Sequence, residues 1–371
     1  MAFQFHFDIR KLNWVVCLHR ADTGNRVLGV RKKGRVKMKA MILKKISPIE
    51  KEPLEMVDLV VPVPGPREVL VKVSACGVCH TELDEIEGRI QPKLPVVLGH
   101  EIVGRVERLG SEARKFNLGD RVGIAWINSS CGTCHFCKGE NENLCKEFKG
   151  TGCHANGGYA EYTLVSEDFA YSIPVRFSDS EAAPLLCAGA IGYRDLRLSG
   201  IKKGQTLGLF GFGASAHIVI QIAKDWGCEV FVFTRSEEHR NLAKRLGASW
   251  AGGPEDEPPK KVNCAVDFTP VGETVLHALK ILEKGGRLVI AVIRKRNAIP
   301  PLDYAGLLWD EKEVKSVANI TRKDAREFLA LAAEIPIIPE VQEFNLQEAN
   351  KVLILLKQGR IQGAGVLRMP D

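Results

Sequence analysis

The stretch T-L-G-L-F-G-F-G-A-S-A, residues 206–216, decides the fold of this chain. A short, mostly apolar run (Thr206–Phe210) leads into Gly211-Phe212-Gly213-Ala214-Ser215-Ala216, and a segment with helical periodicity follows to about residue 226. Between a strand and a helix, a G-x-G-x-x-A turn has a task for each position. Gly211 makes the tight turn, Gly213 lets backbone approach a pyrophosphate, and Ala216 is small enough for helix to pack on strand. The motif alone is weak, and its setting gives it force.

The same alternation continues outward. Strands are expected at residues 229–233, 264–267 and 287–293, with helices near 237–246 and 273–282. Strands alternating with helices at this spacing predict an α/β fold of Rossmann type, a doubly wound parallel sheet. Upstream, Val- and Ile-rich runs at 41–45, 69–73, 102–109 and 121–127 sit between turn residues and predict a β-rich domain. Two further helices are expected near 322–333 and 346–357.

Within the β-rich part, Cys131, Cys134, Cys137 and Cys145 occur as C-x2-C-x2-C-x7-C. Four thiolates from one short lobe close a tetrahedron around zinc and leave no position for water, the pattern of a structural site. Unligated thiols and an iron–sulfur site are the alternatives, and the C-x3-C-P continuation of the bacterial ferredoxin run is absent. A nucleic-acid-binding zinc module is disfavoured because Lys138 and Lys146 are matched by Glu140, Glu142 and Glu147. Cys79, His100 and Cys187 are each a weak signal alone, since a lone Cys is more often a small buried hydrophobe and a lone His structural, but as a set two thiolates and one imidazole leave a fourth position open, as a catalytic zinc requires. Cys76 also stands in C-x2-C spacing with Cys79, but its strand context favours packing.

Taken together, A-C-G-V-C-H-T-E-L (75–83), G-H-E-I-V-G-R-V (99–106), G-D-R-V-G-I-A-W (119–126), the cysteine lobe, G-G-Y-A-E-Y (157–162), A-A-P-L-L-C-A-G (182–189) and the glycine turn resemble the zinc-dependent medium-chain alcohol dehydrogenases. The resemblance runs from about Met38 to the end, nine-tenths of the sequence. It implies a GroES-like catalytic domain over 38–187 with its zinc lobe near 128–147. A dinucleotide-binding domain over 188–318 and a return to the catalytic domain over 319–371 complete the division. It also implies two zinc ions per chain, with catalytic ligands at Cys79, His100 and Cys187 and Glu101 as a carboxylate behind them. Thr81 becomes the proton relay, where the residues alone allow equally an N-cap for a helix starting near Glu82. His80 falls where the cofactor pyrophosphate is contacted, and Trp126 where a bulky side chain narrows the substrate pocket. The family's next relay member, often His, falls on Asp84, and an Arg reaching the pyrophosphate falls on Ala364.

At the end of the second parallel strand, where an acid holds the adenosine ribose of NAD, the chain reads Thr234-Arg235-Ser236. A hydroxyl and a guanidinium there suit the 2′-phosphate of NADP through charge-assisted hydrogen bonds. Thr269 and Val292 follow the strands expected to border the adenosine and nicotinamide. The expected activity is hydride transfer between NADP(H) and an alcohol or carbonyl compound. An NAD-linked or polyol-type member is the alternative within the family, and a non-catalytic zinc or nucleic-acid-binding protein the alternative outside it.

Composition agrees. The net charge of +7 resides in residues 1–39, which carry ten basic and two acidic side chains, while the remainder is at −1. A basic leader over 1–37, expected to stand apart from the fold, thus accounts for a charge that would otherwise suggest a nucleic-acid partner. Eleven cysteines in 371 residues, clustered at metal-ligand spacing, suit a reducing compartment and a cytoplasmic location. The most apolar stretch, 207–223, is too short and too interrupted to span a membrane. Partners are expected to be a small alcohol or aldehyde and further copies of the chain, as a dimer or tetramer.

Overall fold

A computed structural model of the chain describes residues 36–370 and the backbone of two short antiparallel strands, Trp14–Val16 and Val30–Lys32. Most of the leader therefore lies outside the described residues. The regular fold begins with strand Lys37–Leu43, which pairs with Leu54–Val60 and Val96–Val97.

A parallel sheet forms around Thr206–Phe210. Its strand order is Trp250–Gly252, Glu229–Phe233, Thr206–Phe210, Val262–Asp267, Leu282–Ile290 and Glu313–Ser316, every neighbour parallel. Apolar residues occupy both faces of the central strands, as helices on both sides demand. The order reverses between Thr206–Phe210 and Val262–Asp267, so a crevice opens at the carboxyl ends of those two strands. The strand expected at 287–293 starts earlier and ends at Ile290, leaving residues 291–297 as a loop on that rim.

The other sheet is mainly antiparallel. It runs Ala170–Ser172, Arg121–Ile124, Glu101–Leu109, Glu68–Val78, Ala364–Arg368 and Val341–Asn345, with Tyr162–Ser166 also paired to Glu68–Val78. Its apolar face closes on the Lys37–Leu43 sheet to form a core separate from that of the parallel sheet. Helix Arg322–Glu334 lies against helix Ala188–Ser199, with Arg194 reaching the buried Asp324 at 2.5 Å and the Phe328 ring resting where Gly189 lacks a side chain. The chain rejoins the antiparallel sheet only at Val341–Asn345.

Candidate active site

Strand Glu68–Val78 delivers Cys79 to the start of helix His80–Ile86. The helix begins two residues earlier than expected, so Cys79 is its N-cap and Thr81 its second residue, which sets aside the capping role for Thr81. His100 and Glu101 arrive at the start of strand Glu101–Leu109, and Cys187 at the start of helix Ala188–Ser199. Ligand atoms of Cys79, His100, Glu101 and Cys187 all lie within 4.8 Å of one another.

Glu82 organises this cluster. Its Oε1 lies 2.6 Å from His100 Nδ1, and its Oε2 accepts the Cys79 backbone N–H at 2.8 Å. Both residues are buried, and His100 Nε2 has no hydrogen-bond partner among the described residues. A carboxylate on one ring nitrogen orients the other toward a metal, the arrangement of metal-bound histidines. Gly77 makes room for Glu101, since a Cβ there would meet Glu101 Oε2 at 2.0 Å. Burial pushes the Glu101 carboxyl well up. The Cys79–Cys187 hydrogen bond holds the Cys79 thiol well below its usual range and raises that of Cys187. Two soft sulfurs and an imidazole nitrogen whose buried lone pair has no partner fit zinc. The Thr81 hydroxyl lies 3.6 Å from Cys79 Sγ, and the Trp126 ring stands edge-on to His100 at 5.2 Å. Cys76 is fully buried on the sheet beside Gly99 and Gly158, outside the cluster.

The four lobe sulfurs also lie within 4.8 Å of one another, with separations of 3.5 Å (Cys134–Cys137 and Cys131–Cys145) and 3.8 Å (Cys131–Cys137). A zinc tetrahedron with sulfur at about 2.3 Å has edges of about 3.8 Å. Gly132 turns the loop at φ 73°, and the Cys134 and Thr133 amides bring the Cys131 thiol down to about 6. The lobe acids face elsewhere than the sequence suggests: Glu142 accepts from Arg322 N (2.6 Å) and Nε (2.9 Å), and Glu140 pairs with Lys323. These contacts dock the lobe on the start of helix Arg322–Glu334.

At the crevice, Gly211 adopts φ 82°, and a Cβ there would meet the Thr269 methyl at 3.2 Å. Gly213 is exposed and caps helix Ala214–Asp225, with open space around it, while Ala216 is buried. Thr234 and the exposed Arg235 follow strand Glu229–Phe233, and Ser236 caps the next helix through its bond from His239 N. Arg240 donates to the carbonyls of Thr234 and Arg235, at 2.9 and 3.0 Å, and so braces this loop from behind. His80 is exposed at the start of its helix, and Val292 lies in the loop after Leu282–Ile290.

Residues 65–175 match the alcohol dehydrogenase GroES-like domain, and residues 216–334 match the zinc-binding dehydrogenase domain. The chain is 45% identical over 336 residues to the probable alcohol dehydrogenase AdhA of Mycobacterium tuberculosis, covering 89% of this chain and 97% of that one. The chain belongs to the zinc-dependent medium-chain alcohol dehydrogenases. An alcohol dehydrogenase of Geobacillus stearothermophilus is 36% identical, with 86% and 97% covered. The CAD of Helicobacter pylori, solved with NADP(H), superposes at TM-score 0.82 with 25% identity, covering 90% of this chain and 98% of that one.

The dehydrogenase thus has the expected Rossmann-type and GroES-like parts and acts on alcohols with zinc. No helix among the described residues is long and apolar enough to cross a membrane. One residue of the cluster, Glu82, escapes the sequence reading, although it carries a local signal, the C-x-x-E spacing of a capping box.

Proposed function

We propose that this dehydrogenase interconverts alcohols with aldehydes or ketones using NADP(H), with Cys79, His100 and Cys187 holding a catalytic zinc and the cysteine lobe a structural one. The observation that supports the catalytic assignment is the buried, partnerless His100 Nε2, aimed by Glu82 into a cluster with two thiols. When bound, the zinc supplies the Lewis acidity that lowers the pKa of the alcohol, and the nicotinamide accepts the hydride. Thr81 Oγ1 takes up the hydroxyl proton. Glu101 remains behind the ligands, settled over Gly77. Trp126 walls the pocket and favours a narrow substrate.

Gly211, Gly213 and Ala216 admit the diphosphate to the helix start, His80 reaches it from the catalytic side, and Thr269 and Val292 border the adenosine and nicotinamide. Thr234, Arg235 and Ser236 take the 2′-phosphate. Supporting this preference, no acid follows strand Glu229–Phe233 before Glu237, and the bracing of the loop by Arg240 leaves the Arg235 side chain exposed. The thiol-rich sites suit a cytoplasmic setting, and a dimer or tetramer follows the family.

Assay of a panel of alcohols and aldehydes with both nicotinamides tests the reading. Thr234→Asp is expected to lower kcat/KM for NADP(H) about 10–100-fold, the worth of one or two hydrogen bonds to a charged group. An unchanged preference for NADP(H) over NAD(H) in that variant overturns the cofactor assignment.

A further inference from the structure

Asp84 stands one helical turn after Thr81, where the family resemblance leads one to expect a proton-carrying His. In the structure its Oδ1 accepts from Arg294 Nε at 3.2 Å and Nη2 at 2.9 Å. Arg89 Nε, from the turn after the helix, reaches the same oxygen, and Arg89 is itself held by Glu87 and by the Leu83 carbonyl, 3.3 Å away. Asp84 is thus fixed within its own part of the molecule and reaches across to the other. It is nearly buried, and Arg294 is only partly exposed, so the pair is better shielded from solvent than a typical surface ion pair.

Arg294 belongs to the loop 291–297 on the rim of the parallel sheet. Its neighbours tie that loop down. Lys295 Nζ bonds the buried Asp267 carboxylate at 2.5 Å and the Thr269 carbonyl at 2.7 Å. Arg296 N donates to the Pro270 carbonyl at 2.7 Å, and Asn297 Oδ1 accepts Gly272 N at 3.2 Å. One side chain of the run turns the other way, and it meets Asp84.

We propose that Asp84 and Arg294 form a strap across the cofactor crevice, a positioning pair that sets how closely the loop bearing Val292 approaches the helix bearing Thr81. This deepens the proposed function and rests on the crevice being the nicotinamide site. Asp84 then acts through Arg294, and the proton path from Thr81 does not run through it. An ion pair that joins the loop to the helix holds the crevice at one width before the cofactor enters, so its loss is expected to fall on nicotinamide binding more than on the chemical step.

The test compares full-length wild type with Asp84→Asn, Arg294→Gln, the double variant and Asp84→Glu. Each single loss is expected to raise KM for the nicotinamide about tenfold and to lower kcat less than threefold. The double variant should be no worse than either single, and Asp84→Glu should recover most of the loss. The pH dependence of kcat should not change. Without nicotinamide, the amides of 291–297 should exchange with deuterium faster, and equally so, in both single variants. A loss of kcat with an altered pH profile in Asp84→Asn, but not in Arg294→Gln, makes Asp84 a proton carrier and overturns the strap. Additive effects, or exchange at 291–297 unaltered in both variants, also overturn it. The exchange measurement needs no turnover, so absent activity in wild type would count against the proposed function alone.

Discussion

The two cysteine clusters reach similar sulfur spacings by opposite routes. The lobe draws all four donors from residues 131–145, with Cys131 and Cys134 half-buried and Cys137 and Cys145 buried, and lowers the Cys131 thiol with nearby backbone amides. The cluster at Cys79, His100 and Cys187 draws on three distant segments, keeps His100 buried between half-buried thiols, and is organised by the buried carboxylates Glu82 and Glu101. A local loop can arrange itself around a metal as it folds, so metal binding there contributes to stability. The open site is instead imposed by completed sheets, and its surroundings are spent on orienting the imidazole and leaving a position free.

That contrast can be broken at several points. The largest effect is expected from His100→Ala, which should lower turnover about 10³-fold or more, equivalent to roughly 4 kcal/mol of barrier, and reduce bound zinc from two ions to one. Turnover and elemental analysis of the same sample check it. Thr81→Val should cost about 10²-fold in kcat with both metals retained, while Thr81→Ser stays close to wild type, as judged by steady-state rates. Glu82→Gln should weaken zinc at the open site by about 10–100-fold and leave the lobe untouched, which competition with a chelator would resolve into two steps. In contrast, Cys145→Ser should lower the thermal midpoint by about 5–10 °C while the folded fraction keeps kcat within about threefold. Smallest is Glu142→Gln, which removes the charge from the bond to Arg322 and should shift the midpoint by about 2–6 °C, measured by calorimetry. Equal effects of Cys145→Ser and His100→Ala on kcat would erase the distinction between the sites.

Legibility followed sequence distance. The lobe can be read from C-x2-C-x2-C-x7-C because its geometry is local, and the crevice from Gly211 and Gly213 because the turn, strand and helix are contiguous. Cys79, His100 and Cys187 are joined only by the fold, and without the family resemblance three isolated residues would have read as packing. The second parallel helix and strand fell within a residue or two of expectation, since apolar periodicity fixes them. Strand 287–293 was displaced because Gly285 and Gly286 interrupt a run that continues back to Leu282. Asp84 and Arg294 lie 210 residues apart, and no propensity or spacing relates them. Local sequence matches Glu142 to nearby lysines, whereas its partner Arg322 comes from a helix 180 residues on.

The pairing of strand Ala364–Arg368 with Glu68–Val78 has a consequence for how the protein is made. Gly365 lies opposite Val78, immediately before Cys79, so that edge of the sheet stays bare until the ribosome has added residues 364–368. The parallel sheet is drawn from one unbroken span and can fold while synthesis continues. The four-cysteine lobe can take up its ion early, whereas the strand that presents Cys79 must wait for almost the whole polypeptide. Under the proposed metal assignments, the lobe would load before the cluster at Cys79, so that a half-made chain is not yet a chemically active one.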